Sequence, residues 1–526
     1  MDPEPSASTE TDQETLIQPP NPDMVFRDGL RVAIQGCGHG MLDQIYATIE
    51  QACRIHSYKV DLLIICGDFQ AVRNSRDLLS MAVPPKYRHM GDFYKYYNGS
   101  KVAPIPTLFV GGNHEASSHL YELNLGGWVC PNMYYMGGTG VVNVNGIRIA
   151  GVSGIYNENN YRRPRFEKPP FDDRSMRSAY HYRAHELFKL NVLSGDIDIF
   201  VSHDWPEGIT KYGNEARLLA VKQHFRKEVA ENRLGSPPLM GVLRKLKPTY
   251  WFAAHMHIKF PAVVDHGPAL ESTAKEEEDD DWTQLEDTLK AKNEDEIDLD
   301  MDEDETTPQG EDKKQKQPAQ NTQPEIAIPS SSSSPSSATY PSPPTKSTRT
   351  HFLALDKLLP RRDFLQILTI PSRNPLPLSN PLRTRLLYDR EWLAISRVFE
   401  PLDVASGPGL SQFMKSAQND KRVVKRVNEE LKWVNENITD EKLVIPENWV
   451  RTAKFQFDDN IKATNSPDKF INPQTETYCN LLGIENKWAP PPHMRISLTP
   501  EPQETLHAKT MDAAAEGSDA ATGSSN

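Results

Sequence analysis

The chain has 526 residues and a formal net charge of −13. That length suits two or three domains with a large core. No run approaches the ~20 apolar residues of a membrane span, and five scattered cysteines, an odd number, do not form a disulfide framework.

The charge is uneven. Residues 271–346 hold 21 acidic against 7 basic residues, residues 1–14 hold five acidic and no basic ones, and 501–526 carry a net −4. The remaining body is therefore +10, which suits a polyanionic substrate, while the acidic parts read as solvated tails. The first 25 residues are acidic and Pro-rich with no apolar core, so no secretory leader is expected. A soluble protein of a reducing compartment, with free thiols and no membrane partner, is the expectation.

Residues 1–25 read as a disordered tail. A first folded domain is expected over 26–265. It opens with a strand over Gly29–Gln35 that runs into Gly36-Cys37-Gly38-His39-Gly40. Leu42, Ile45, Ile49 and Cys53, spaced by three and four, predict a helix from about Leu42 to His56. Val60–Cys66 reads as a fully buried strand ending at Gly67-Asp68, and Thr107–Val110 is a short one ending at Gly111-Gly112-Asn113-His114-Glu115. Gly137–Ser153 alternates like one or two outer strands. Asp196–Val201 ends at Ser202-His203-Asp204, and Thr249–Ala254 ends at His255-Met256-His257.

An acidic and Ser/Pro-rich insertion follows over 266–347, whose composition cannot bury a core. Order is expected again over 348–384, a piece too short to stand alone and so read as completing the sheet of the first domain. A smaller, mostly helical region is expected over 385–500, with helical periodicity around Val423–Val434, and a low-complexity tail over 501–526.

Strands alternating with helices predict an α/β layered domain, in which ligands gather at the carboxyl ends of the strands. All five strands singled out end in Cys, His, Asp or Asn. For the group at 112–115 the plain alternative is a polar turn with Asn113 as a helix N-cap. Five buried strands do not collect titratable groups at one edge without a use for them, since each unpaired group costs several kcal/mol. Such donors suit divalent metals, and two ions ~3.5–4 Å apart can grip both oxygens of an in-line phosphoryl displacement. One carboxylate must then bridge them. Asp68 is the only Asp at these strand ends that directly follows a glycine. His255 and His257 have the i, i+2 spacing of an extended segment, which aims both to one side. If Asn113 is a ligand, His114 points elsewhere and is available for proton transfer.

Taken in order, these five groups resemble the binuclear metallophosphoesterase superfamily. Within it, Cys66–Asn74, Ala82–Met90, Ser202–Pro206, Leu234–Pro237, Lys247–Phe252, Phe352–Lys357 and Arg362–Leu368 resemble the RNA lariat debranching enzymes. The similarity spans about 29–265 and 350–370. It implies a sandwich of two β-sheets flanked by helices, and hydrolysis of the 2′–5′ phosphodiester at the branch point of excised intron lariats. By the same resemblance one ion would be held by Cys37, His39, Asp68 and His257, the other by Asp68, Asn113, His203 and His255, with His114 the catalytic acid.

The superfamily at large usually has Asp where this chain has Cys37, and the debranching branch has Cys. A thiolate there favours Zn2+ or Fe2+ over Mn2+. The alternative, that Cys37 only packs beside the site, stays open.

The resemblance also places a lariat recognition loop at about Ser153–Arg183. Its cations Arg162, Arg163, Arg165, Lys168, Arg174, Arg177 and Arg183 lie among the rings Tyr161, Phe166 and Tyr180, a mixture suited to phosphate contacts and base stacking. A solvated basic loop is the plainer reading. The implied partner is branched intron RNA and the implied location the nucleus, with the cytoplasm as a further possibility. Another phosphoesterase of the superfamily, a nuclease or protein phosphatase, is the competing function, and a non-catalytic scaffold of the same fold is a third.

Overall fold

The computed structural model describes residues 29–267, 348–377, 379–400, 421–454 and 470–489. Its thirteen strands are β1 (Gly29–Gln35), β2 (Leu62–Ile65), β3 (Thr107–Phe109), β4 (Gly127–Cys130), β5 (Met133–Tyr135), β6 (Thr139–Val144), β7 (Ile147–Val152), β8 (Ile199–Ser202), β9 (Tyr250–Ala253), β10 (Phe260–Asp265), β11 (Arg349–Ala354), β12 (Leu365–Pro371) and β13 (Leu387–Tyr388). They form a six-stranded sheet in the order β12-β1-β2-β3-β5-β4 and a seven-stranded sheet in the order β10-β11-β9-β8-β7-β6-β13.

The period-two pattern of the strands sorts their side chains into three apolar layers. Val32 and Ile34 of β1, Ile64 of β2 and Leu108 of β3 meet Ile149 of β7, Ile199 and Val201 of β8 and Phe252 of β9 between the sheets. Ala33, Leu63, Ile65 and Phe109 face the other way, against Leu42, Ile45, Tyr46 and Ile49 of the helix Leu42–His56. Ala150, Val152, Phe200, Trp251 and Ala253 cover the outer face of the second sheet, against helices 184–191, 237–246, 390–399, 421–437 and 473–482. The expected two-sheet sandwich flanked by helices is the observed fold.

Strands β1, β2 and β3 run parallel in one sheet, and β7, β8, β9 and β11 in the other. Their carboxyl ends carry the polar groups singled out in the sequence.

Some expectations are corrected. The segment 137–153 forms two strands, and β7 is interior, paired on both sides by β6 and β8. Asn113 does not cap a helix: the next helix is Ser117–Glu122, with Ala116 at the cap position. The segment after the insertion serves both sheets, β11 lying beside β9 and β12 beside β1. Residues 385–399 join directly to this framework: β13 pairs with β6, and Trp392, Leu393 and Ile395 share one cluster with Phe200 and Trp251. All five cysteines are free thiols. Among the described residues, no helix is long and apolar enough to cross a membrane. The expectations for 1–25, for most of 266–347 and for 501–526 lie outside the described residues.

Candidate metal centre

The loops after β1, β2, β3, β8 and β9 converge, and glycine permits it at two places. A Cβ on Gly67 would stand 2.1 Å from Nδ1 of His203, and one on Gly112 would stand 2.1 Å from Oδ1 of Asp68. The loops are also held in strained conformations. His39, Asp68, Gln70, His255 and His257 all have positive φ, between 43° and 63°. Each such residue costs about 1–3 kcal/mol, a reservoir that collects at functional sites. The His255–His257 segment is therefore not extended, as its spacing suggested. The two turns send His257 toward His39 and His255 toward His203.

One cluster comprises Cys37, His39, Asp68 and His257, whose ligand atoms lie within 4.8 Å of one another. Nε2 of His39 and Nε2 of His257 face each other at 3.3 Å, a separation at which a proton or a metal ion must lie between two imidazole nitrogens. Burial pushes the His39 imidazole down to about 4 despite the pull of Asp68, and burial holds His257 well below its ordinary range. Protons are thus poorly held here, and the nitrogens are left as donors. Burial, reinforced by Asp68, pushes the Cys37 thiol well up, so a thiolate at this place needs a cation beside it.

The second group is built round His203, which is fully buried. Its Nδ1–H donates to the Cys66 carbonyl at 2.8 Å. Nε2 then faces Asn113 Oδ1 at 3.1 Å and Asp68 Oδ1 at 3.4 Å. With Nδ1 donating, an unprotonated Nε2 would converge with the two oxygens as acceptors, an arrangement that a cation completes. The ring of His255 lies 4.9 Å from that of His203.

Asp68 stands between the groups, with Oδ2 3.7 Å from His39 and Oδ1 toward His203. Burial alone would raise its carboxyl, but His203, His114 and His39 outweigh it and hold Asp68 well below the usual carboxylate range. The donor set of one thiol, four imidazoles, one amide oxygen and one shared carboxylate fits two borderline divalent ions. His114 is half-buried at the edge. Its backbone N–H donates to Asp68 Oδ1 at 2.9 Å, while its ring lies edge-on to His39 at 5.4 Å.

Two further residues shape the site though the sequence reading gave neither a place in the metal centre: Glu115, singled out only as one of three polar groups after the strand, and Lys357. Glu115 is buried and accepts three backbone hydrogen bonds: Phe69 N–H at 2.8 Å, Gln70 N–H at 2.8 Å and Gly112 N–H at 3.0 Å. One carboxylate thereby ties the loop bearing Asp68 to the loop bearing Asn113. Burial, with Asp68 nearby, pushes it up to about 7. Its place beside His114 was the only signal in the sequence. Lys357, just past β11, lies close enough for its charge to weigh on His39 and His257.

The loop 153–183 lies against the Asn113 half. Gly154 N–H donates to the Gly111 carbonyl at 2.8 Å, and Tyr156 N–H to Asp204 at 3.0 Å. The ten residues proposed to bind substrate divide into three kinds. Arg162, Arg163, Phe166, Lys168, Arg174 and Arg177 are exposed, with Arg174 6.0 Å from the Phe166 ring centroid. Tyr161 and Tyr180 are half-buried, against Tyr156 and His181.

Arg183 corrects the expectation. It is fully buried and ion-paired to Glu167, so its guanidinium fixes the loop from within and presents no surface to a ligand. Arg165 points inward as well, to Glu186 at 2.9 Å and the Ala179 carbonyl at 2.7 Å. It still lines a cavity of about 50 Å³ with Gly112, Glu115, Tyr121, Phe171 and Tyr180.

With this geometry in view, the comparisons are specific. Residues 30–259 match the family described as calcineurin-like phosphoesterase, and residues 347–487 match the family described as lariat debranching enzyme, C-terminal domain. The chain is 43% identical over 469 residues to a lariat debranching enzyme of Drosophila melanogaster, covering 87% of this chain and 78% of that protein. It is 40% identical over 473 residues to one of Schizosaccharomyces pombe, covering 88% and 98%. To one of Homo sapiens it is 41% identical over 466 residues, covering 86% and 69%.

Proposed function

The chain belongs to the lariat debranching enzyme family, and on that premise we infer that it is a metal-dependent phosphodiesterase that hydrolyses the 2′–5′ bond at the branch point of lariat RNA. The observation that carries the reading is the convergence of two donor groups on the single carboxylate Asp68, in a chain matched by both family descriptions.

In this reading Cys37, His39, Asp68 and His257 hold one ion, and Asp68, Asn113, His203 and His255 hold the other. When bound, two divalent ions supply Lewis-acid charge at the phosphoryl oxygens. The chain does the rest. The Cys66 carbonyl fixes the His203 tautomer, and Glu115 holds the Asp68 and Asn113 loops at one spacing. His114, whose backbone N–H is held by Asp68, delivers a proton to the departing 2′ oxygen. Hydrolysis is balanced when water breaks the P–O2′ bond, leaving a free 2′ hydroxyl and a phosphomonoester.

The buried thiol at Cys37 favours Zn2+ or Fe2+ over Mn2+. The exposed cations of the 153–183 loop, with Phe166 and Tyr180, are the contacts proposed for the branch. A nuclear location follows from the substrate. The test is incubation of the purified chain with a 2′–5′ branched oligoribonucleotide, a linear RNA and a phosphopeptide. Release of linear product from the branched RNA alone is expected, and phosphopeptide hydrolysis without debranching would overturn the reading.

A further inference from the structure

The recognition loop lies against the Asn113 half of the centre. On the other half, β11 runs parallel to β9, with Ala354 beside Ala253, and Leu355 N–H donates to the Ala253 carbonyl at 3.1 Å. The chain therefore leaves β11 at the same edge where β9 releases His255 and His257. The next residue packs on the first metal loop, since a Cβ on Gly36 would lie 2.1 Å from the Asp356 carbonyl oxygen. Gly36 N–H in turn donates to the Phe364 carbonyl at 2.9 Å, so the turn 355–364 is fastened beside Cys37 at both ends.

This turn is basic. Asp356 N–H donates to the Asp363 carbonyl at 3.1 Å, which brings the two residues side by side. Around them stand Arg362, 3.5 Å from Asp356, and Lys259, 3.7 Å from Asp363. Lys222 and Lys357 lie near enough for their charges to act on Asp356. Exposed Arg361 sits at the tip with φ of 64°. Four cations thus act on the two carboxylates, with Arg361 a fifth at the tip, and all five side chains retain exposure to solvent. Lys357 lies close enough for its charge to bear on both His39 and His257.

A branched nucleotide sends three strands away from one sugar, and a loop on the Asn113 side can follow only those leaving toward it. We propose that the turn 355–362, with Lys222 and Lys259, is a second phosphate-binding rim that holds the backbone of an RNA strand leaving the branch on the Cys37–His257 side. The proposal rests on the debranching reading above. Charge-only contacts to phosphates give sequence-independent binding that weakens with salt, by about 0.7 in log–log slope for each phosphate neutralised on a single strand.

The test compares wild type with Lys222→Ala/Lys259→Ala on two branched RNAs, one with arms of several nucleotides and one with single-nucleotide arms. On the long-armed RNA, kcat/KM is expected to fall about tenfold, chiefly through KM, with a salt slope shallower by about one. On the short-armed RNA the loss is expected to be much smaller, and Lys222→Arg/Lys259→Arg should behave as wild type on both. Equal losses on both substrates would mean that the lysines support the metal centre, and no loss on either would mean that they touch no RNA. Either result removes the rim. Failure of the wild type to cleave either branched RNA would instead refute the debranching reading itself.

Discussion

His114 and Asp68 are joined by a hydrogen bond, yet replacing each should have a different consequence. The backbone N–H of His114 donates to Asp68, so truncating the ring leaves that hydrogen bond in place. His114→Ala is expected to lower kcat roughly 10²–10⁴-fold with metal content near that of wild type, measured by elemental analysis alongside debranching kinetics. Loss of metal in that variant would make His114 a ligand. The identities of these residues were legible in the sequence because strands that must be apolar throughout ended in donors. Their aim was not. The left-handed turns at His255 and His257 replace the extended segment that a spacing of two suggests, and backbone conformation of that kind has no signature in non-glycine residues. Lys357 was invisible as a member of the site for a different reason: it follows His257 by 100 residues and reaches it only through the pairing of β11 with β9.

At the scale of the loop 153–183, composition announced a basic, aromatic surface but could not sort its cations. Arg183 meets Glu167 16 residues away, and Arg165 meets Glu186 21 residues away, separations that no local pattern encodes. The exposed pair Arg162 and Arg163 is therefore the one to change. Arg162→Ala/Arg163→Ala should weaken cleavage of branched RNA about tenfold or more while bis(p-nitrophenyl) phosphate, which reports the centre alone, falls far less. Equal losses would mean that the loop supports the centre structurally.

The buried pairs supply a pH dependence of their own. Burial would raise the Glu186 carboxyl, but Arg165, His185 and the Arg183 N–H outweigh it and hold Glu186 at about 2, against an ordinary 4.5. A depressed carboxyl stabilises the fold fully above its unfolded value and loses that contribution as pH falls through its folded value. Glu186 should therefore supply on the order of 3 kcal/mol that disappears between pH 4.5 and 2. Across that window the melting temperature of Glu186→Gln should start lower and fall less steeply than that of wild type. Parallel curves would remove Glu186 from the account.

Across the whole molecule, the sandwich was legible from apolar strands alternating with helical spacing. Which sheet receives which strand was not, because β11 and β12 arrive after a long break in the chain and each joins a different sheet. Their arrangement makes a prediction about that break. β10 and β11 pair antiparallel with Asp265 opposite Arg349, so the two ends of the segment between them lie side by side. Replacing residues 270–345 by a short Gly/Ser turn should leave the melting temperature and debranching of a small substrate close to wild type, since loop closure changes by only about 0.6 kcal/mol per doubling of length. A collapse in melting temperature would show that the segment contributes to the core.

The central claim is that one carboxylate joins two metal-binding groups, and its most direct test is the metal stoichiometry of Asp68→Asn beside that of wild type. Both proteins are purified anaerobically and analysed for every first-row metal, with debranching measured on the same samples. Wild type is expected to carry two divalent ions per chain. Asp68→Asn, which loses a ligand to each, should carry fewer than one and show no debranching. An Asp68→Asn protein that kept both ions and its activity would contradict the account.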